Sequence, residues 1–366
     1  MTFTRSEWRL IGSTALVLAA AAVLHFARIG GTVVPFVVSG GALALLASLV
    51  GRSVEALGGR LGAGAVGALQ SALGNLPELF VVLFALRDRL YGVATATIVG
   101  SILANVLLVL GLAFLVGGVR NGPQRFETTA ARRLSLMLVL SVAALVIPAL
   151  TAHLHSPAAG HERSLSIAVS VLLLVLFAVS LPEAIRQQQP GEGGAPAATP
   201  KAEKGDRGSH GGGSRWPLWL AVLMLAVTSV AAAFASDWFV TALTPAMNAL
   251  HISQAFAGLV IVAIAGNAVE NVVGVQLAYR NQSDSALSVI LQSPVQITMT
   301  VAPALVLLSP VVGAAFTLVL PPLLLVALLL AVVITVLAVF DGESNWLEGA
   351  TLITLYGVIA TAFWWG

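Results

Sequence analysis

The sequence predicts an all-α integral membrane protein of eleven transmembrane helices, built as one extra N-terminal helix plus two inverted five-helix repeats. Three observations predict it. The 366 residues are 58% hydrophobic and only 9% charged, against about 25% charged in a soluble domain. The apolar residues fall in long continuous runs separated by short polar breaks. Around Asn75 the chain reads ALGNLPELFVV and around Asn267 it reads AIAGNAVENVV, an echo of one half in the other.

Composition excludes whole classes. So few charges cannot cover a water-soluble body of this length, so a soluble enzyme is ruled out. A net charge of +2 is too small for a nucleic-acid partner. Without cysteine there are no disulfides, thiolate ligands or cysteine nucleophiles.

The first run, Leu10 to Ala27, follows Arg5 and Arg9. A secretory leader has that charge pattern, but this run is long for one and spans about the ~20 residues a bilayer-crossing helix needs. It is read as a retained helix. The remaining runs lie near 33–57, 65–86, 91–118, 132–152, 164–183, 217–236, 254–279, 284–309, 312–340 and 346–365. In lipid the backbone must satisfy its own hydrogen bonds, and runs this long suit helices rather than barrel strands. The stretch from Gln187 to Arg215 is rich in Gly, Pro, Ser and mixed charge, which is linker composition. Four regions follow: 1–30 as the extra helix, 31–186 as the first repeat, 187–215 as a cytoplasmic linker and 216–366 as the second repeat.

Lys and Arg set the expected orientation. With the N-terminus in the cytoplasm, fourteen of the eighteen fall inside, and only Arg28, Arg87, Arg89 and Arg163 fall outside. The C-terminus is then external. An offset of 192 residues pairs Asn75 with Asn267, Glu78 with Glu270 and Ser101 with Ser293. Each half holds five spans, an odd number, so the second copy is inverted. Inverted repeats with a midplane site between them are a transporter architecture.

Among sixteen acidic residues, Glu78 and Glu270 are the two expected deep inside apolar spans. A charge at the bilayer centre costs on the order of 3 kcal/mol, so such a residue is functional by default. The plain alternative is a structural carboxyl, but it does not explain two at equivalent positions. Each Glu follows its Asn by three residues, which puts both side chains on one helix face. Gly74, Pro77 and Gly266 can loosen the helix there and free backbone carbonyls. Ser101 and Asn105 share one face of the 91–118 span. Ser293 and Gln296 share one face of the 284–309 span, while Gln292 points elsewhere. Interhelical hydrogen bonding is the alternative role for these groups. Gly100 is read as permitting close helix packing. Two Glu, two Asn and neighbouring Ser and Gln oxygens form a hard, oxygen-rich set suited to Ca²⁺, with nothing soft for Cu⁺ or Zn²⁺.

GNLPEL, then GSILANVLLVLG, AIAGNAVE and QSPVQI, resemble the Ca²⁺/H⁺ antiporter (cation exchanger) family of the calcium:cation antiporter superfamily, from about residue 33 to the C-terminus. The resemblance implies ten core helices in two inverted repeats, usually with one extra N-terminal helix. It implies that Glu78 and Glu270 bind Ca²⁺ and H⁺ in competition, assisted by Asn75, Asn267, Ser101, Asn105, Ser293 and Gln296. It also implies that the 33–57 and 217–236 spans slide as a gate. The chain departs from the family in two places. Gln292, Ser293 and Pro294 stand where Gly-Ser-Ser is usual, and the linker lacks the acidic run of some relatives. The Na⁺/Ca²⁺ branch carries Gly-Thr-Ser before its Pro-Glu; here Gly-Asn precedes, which disfavours Na⁺ as the driving ion.

The expected activity is secondary transport of Ca²⁺ against H⁺ by alternating access in the inner (plasma) membrane, with no cofactor and no nucleic-acid partner. Ca²⁺ and H⁺ are the substrates and the lipid bilayer the surroundings. The alternative is an Na⁺/H⁺ or K⁺/H⁺ antiporter on the same fold. An intramembrane hydrolase lacks support: there is no HExxH, no intramembrane Asp pair and no Ser–His pair in the apolar spans. His153, His155 and His161 fall in one short external loop, read as solvated. The sequence does not determine the oligomeric state.

Overall fold

The structure is a computed structural model describing residues 3–61, 73–154, 159–187 and 216–365. The start of the 65–86 run, His155 and most of the linker lie outside the described residues. Among the described residues the chain is helical apart from one two-stranded ribbon.

Helix α1 (Arg5–Ala27) opens on a capping box in which the Thr4 hydroxyl receives the Glu7 amide and the Glu7 carboxylate receives the Thr4 amide. It stops at Arg28 in the left-handed region, before Gly30 and Gly31. The first half continues with α2 (Val33–Leu61), α3 (Leu76–Arg87), α4 (Tyr91–Asn121), α5 (Thr128–His153) and α6 (Glu162–Gln187). The second holds α7 (Leu218–Leu250), α8 (Gln254–Gly266), α9 (Ala268–Tyr279), α10 (Ser283–Val312), α11 (Pro322–Val339) and α12 (Trp346–Trp364). Nine described helices are long and apolar enough to cross a membrane, or ten if α8 and α9, bent by 65°, form one broken span. Of the 65–86 run, the described part is the twelve-residue α3 and the residues just before it.

Leucines and valines stand exposed along α6, α7 and α11, for example Leu172, Val230 and Val333. In water such faces would drive association; against lipid they are the solvated surface. Apolar burial gives little drive between helices in lipid, so close approach holds the interior. Gly100 of α4 lies against the backbone of Leu259 in α8, so tightly that a side chain there would meet it. Gly258 of α8 faces the carbonyl of Val93 in the same way. The packing role read for Gly100 is what the geometry displays.

Two predicted runs differ from the helices found. The 217–236 run extends to Leu250 as one helix; Asp237 breaks the apolar pattern without breaking the helix and pairs with Arg87 at 2.6 Å. The 312–340 run is helical only from Pro322. Gly313 adopts φ 70° and ends the preceding helix, and Pro321 and Pro322 favour a fresh start at the first helical position. The non-helical stretch between is satisfied from its neighbours: the Phe316 amide donates to the Ser309 hydroxyl (3.1 Å), the Leu318 amide to Ser166 (3.0 Å), and His153 Nε2 to the Leu320 carbonyl (2.9 Å). Irregular backbone at membrane depth needs such cover. His153 is thereby a structural partner rather than a purely solvated loop residue.

At one end of the bundle, β1 (Gln124–Arg125) pairs antiparallel with β2 (Glu343–Ser344). The Phe126 amide extends the ladder to the Gly342 carbonyl at 3.0 Å. This ribbon joins the α4–α5 connection to the α11–α12 connection.

Candidate functional site

The polar centre is made by helix breaks. At Asn75 the backbone takes φ −95°, ψ 15°, and at Asn267 φ −103°, ψ 20°. Each Asn therefore sits just outside a helix whose first turn carries its Glu: Glu78 in α3 and Glu270 in α9. Pro77 suits the first turn of α3, where a missing amide costs nothing. The bend between α8 and α9 lays Gly266 beside Glu78, where an added Cβ would lie 3.7 Å from the Glu78 Cβ, an ordinary contact.

Helices α4 and α10 face these breaks, and each contains a π-helical turn, Ala104–Val109 and Ile297–Val301. A π turn shifts the hydrogen-bond register by one residue and re-aims side chains. Thr335 of α11 donates to the Val106 carbonyl at 3.2 Å, and Thr300 to the Gln296 carbonyl at 2.6 Å. In α10 the turn follows Pro294, whose missing amide weakens the regular ladder.

Seven of the eight residues read from the sequence hydrogen-bond to another of the set, five in one network and Asn75 with Gln296 as a separate pair. Glu78 is 3% exposed, and its Oε1 accepts the Ser101 hydroxyl. Ser101 Oγ also receives Asn267 Nδ2 at 3.1 Å. Asn267 Oδ1 accepts from Ser293 Oγ at 3.3 Å, and Ser293 Oγ accepts from Asn105 Nδ2 at 3.3 Å. Asn105 Nδ2 further donates to the Ser101 carbonyl at 2.9 Å. Asn75 Nδ2 donates to Gln296 Oε1 at 3.3 Å. Glu270, partly exposed in the first turn of α9, makes no side-chain hydrogen bond to this cluster. Gln292 is exposed, as its register implied.

Two acceptors in the cluster stand out. Glu78 Oε2 and Asn105 Oδ1 are buried without a hydrogen-bond donor. Buried polar oxygens are ordinarily satisfied, and each orphan calls for an explanation. The ion pairs that Arg87 and Arg125 make lie elsewhere. Among the described residues no group of three or more His, Cys, Asp and Glu side chains could hold a metal. The hydrogen-bonded cluster is one carboxylate, Glu78, among amides and hydroxyls.

Some supporting residues carry no distinctive sequence signal. Ser236 of α7 donates to the Pro77 carbonyl at 3.5 Å, beside the first break. Thr335 and Thr300 brace the π turns. Each is a lone hydroxyl in an apolar run, a pattern that ordinary helix back-bonding also produces. Asp237 and Glu55 also lie within long helices, contrary to the expectation that all other acids sit in loops or near helix ends.

Apolar outer faces around a buried carboxylate and amide cluster define the class: a polytopic membrane protein with a buried polar centre. The chain belongs to the sodium/calcium exchanger protein family, whose model matches residues 31–182 and 220–365. It is 32% identical over 357 residues to a Ca²⁺/H⁺ antiporter of Synechocystis, covering 93% of this chain and 92% of that protein. It is 33% identical over 322 residues to the Ca²⁺/H⁺ antiporter ChaA of Bacillus subtilis, covering 87% of this chain and 88% of that one. The solved structure of native YfkE superposes with a TM-score of 0.78 at 29% identity, covering 98% of this chain and 99% of that one.

Proposed function

We propose that the protein exchanges Ca²⁺ for H⁺ across the membrane by alternating access, with Glu78 and Glu270 binding Ca²⁺ or protons in competition. The observation that carries this reading is the buried Glu78 carboxylate, with one oxygen held by Ser101 and the other without a donor. Such an oxygen can accept a cation or a proton, and among the described residues it has no hydrogen-bond donor. The orphaned Asn105 Oδ1 adds a neutral oxygen to the same centre. Asn75, Asn267, Ser293 and Gln296 complete an oxygen-rich set of the kind Ca²⁺ takes. The relatives named Ca²⁺/H⁺ antiporters support the choice of ions.

With both carboxylates ionised the centre is doubly negative and attracts Ca²⁺. With both protonated it is neutral and crosses empty of metal. The pair titrates as one coupled unit. The proposal includes eleven spans, with the 65–86 run completing the count, and two inverted repeats at 31–186 and 216–366. The like backbone angles at Asn75 and Asn267, and the π turns in α4 and α10, support the repeat. It also includes the gate of α2 and α7, which pack along each other, a cytoplasmic N-terminus and linker, and an external C-terminus.

The test is Ca²⁺ uptake into everted vesicles or proteoliposomes under an imposed pH gradient, with parallel Na⁺ and K⁺ arms. Gradient-driven Ca²⁺ flux is expected. Flux of Na⁺ or K⁺ with none of Ca²⁺ would overturn the assignment.

A further inference from the structure

A cavity of about 520 Å³ lies between α1, α2 and α7, away from the carboxylate centre. Most of its wall is apolar, but its polar groups are not scattered at random. His25 and Arg28 come from the end of α1, Thr32 and Ser39 from the start of α2 and the turn before it, and Trp238 and Thr241 from α7. His25 stacks on Trp238 with ring centroids 5.7 Å apart, and Ser39 is buried. Arg28 is exposed and makes no ion pair or hydrogen bond among the described residues. The nearby acid, Asp237, is already neutralised by Arg87 at 2.6 Å.

Arg28 also holds an unfavourable backbone. It caps α1 at φ 53°, ψ 41°, a left-handed position where Gly is the usual residue. Ile29, Gly30 and Gly31 follow, and Arg28 itself lines the cavity.

We infer that this cavity binds the headgroup of an anionic phospholipid. The charge is complementary: a free guanidinium at the rim meets a phosphate, with hydroxyls and an imidazole around it. The shape is complementary too, since the cavity opens beside α1, whose faces are largely exposed to lipid. Apolar walls suit the first part of the acyl chains. A bound lipid touches α2 through Pro35 and Ser39 and α7 through Trp238 and Thr241, so it would fasten the two helices together.

The binding test needs no transport, so it stands apart from the exchange reading. The full chain in detergent is titrated with phosphatidylglycerol carrying brominated acyl chains, and tryptophan quenching is followed. The Trp238 contribution is the difference between wild type and Trp238→Phe. Saturable quenching of that component is expected with phosphatidylglycerol, with at least tenfold weaker binding to brominated phosphatidylcholine. Arg28→Gln should weaken phosphatidylglycerol binding about tenfold. Arg28→Gly should weaken it equally while the melting midpoint without lipid stays level or rises, because the backbone strain is relieved. Inorganic phosphate at matched concentration should not displace the lipid. Equal quenching by the two lipids, or unaltered binding in both Arg28 variants, would overturn the proposal. Displacement by phosphate would also overturn it, assigning the site to a free anion.

Discussion

At the scale of single residues the proposed mechanism rests on two carboxylates in unlike settings. Glu78 is engaged by Ser101, while Glu270 is partly exposed and makes no side-chain hydrogen bond to the cluster. Glu78→Gln and Glu270→Gln should each abolish Ca²⁺/H⁺ exchange while the protein stays folded, since Gln keeps the shape of a protonated Glu and removes the charge. Flux assays on purified, monodisperse variants check this; either variant running at the wild-type rate would defeat the two-carboxylate mechanism. Six of the eight proposed residues stand out in the sequence because intramembrane polar groups are costly and these six recur at an offset of 192, while Asn105 and Gln296 are marked only by sharing a helix face with a matched Ser. What the sequence did not carry is who bonds whom. Ser101 and Ser293 occupy matched positions, yet one serves a carboxylate and the other an amide. Their partners depend on where the helix breaks and π turns place neighbouring helices, which no residue-by-residue reading supplies. Ser236 and Thr335 went unremarked for a related reason: a solitary hydroxyl in a span has no pattern to mark it.

At the scale of elements, apolar runs located the spans well where runs and helices coincide. They failed where polarity and helicity part company. Asp237 lies inside α7, paired with Arg87, and the stretch before Pro322 is apolar without being helical. The π turns have no local sequence signature, although Pro294 hinted at one of them. Helix contacts at glycine are better indicated. A Cβ at Gly100 would collide with the Leu259 backbone, whereas one at Gly12 in α1 meets nothing within 4 Å. Gly100→Ala should therefore cost roughly 1–3 kcal/mol, the range for forced overpacking. Gly12→Ala should be neutral or stabilising by up to about 1 kcal/mol through helix propensity. Denaturation of both variants in detergent checks the contrast, and equal stabilities would remove the close approach of α4 and α8 from the account.

At the scale of the whole molecule, the number of neutralisable charges sets what the exchanger can achieve. Under the proposed two-carboxylate mechanism, two protons for one Ca²⁺ would leave no net charge moved, and the exchange would run on the pH gradient alone. At about 1.4 kcal/mol per proton per pH unit, one unit supplies roughly 2.8 kcal/mol, enough for about a 100-fold Ca²⁺ gradient. Asp237 does not offer a third carrier, being held by Arg87, and Glu55 is exposed on α2. Ca²⁺-driven proton movement in sealed vesicles should thus be insensitive to a valinomycin-clamped potential; a clear shift of the equilibrium with voltage would refute a one-to-two exchange. The ribbon of β1 and β2 bears on how such a cycle moves. It ties one connection of each half to the other by backbone hydrogen bonds, and Gly111 and Gly349 bring α4 and α12 together close by. Such a seam resists separation at that end of the bundle, as the spring of a clothes-peg holds its two arms together, so movement in the proposed cycle is expected away from it. Amide hydrogen exchange would record this as a fixed pivot. The Phe126 amide should stay protected with or without Ca²⁺, while amides of α2 and α7 change their protection when the ion binds. Loss of protection at Phe126 on adding Ca²⁺ would move the pivot elsewhere.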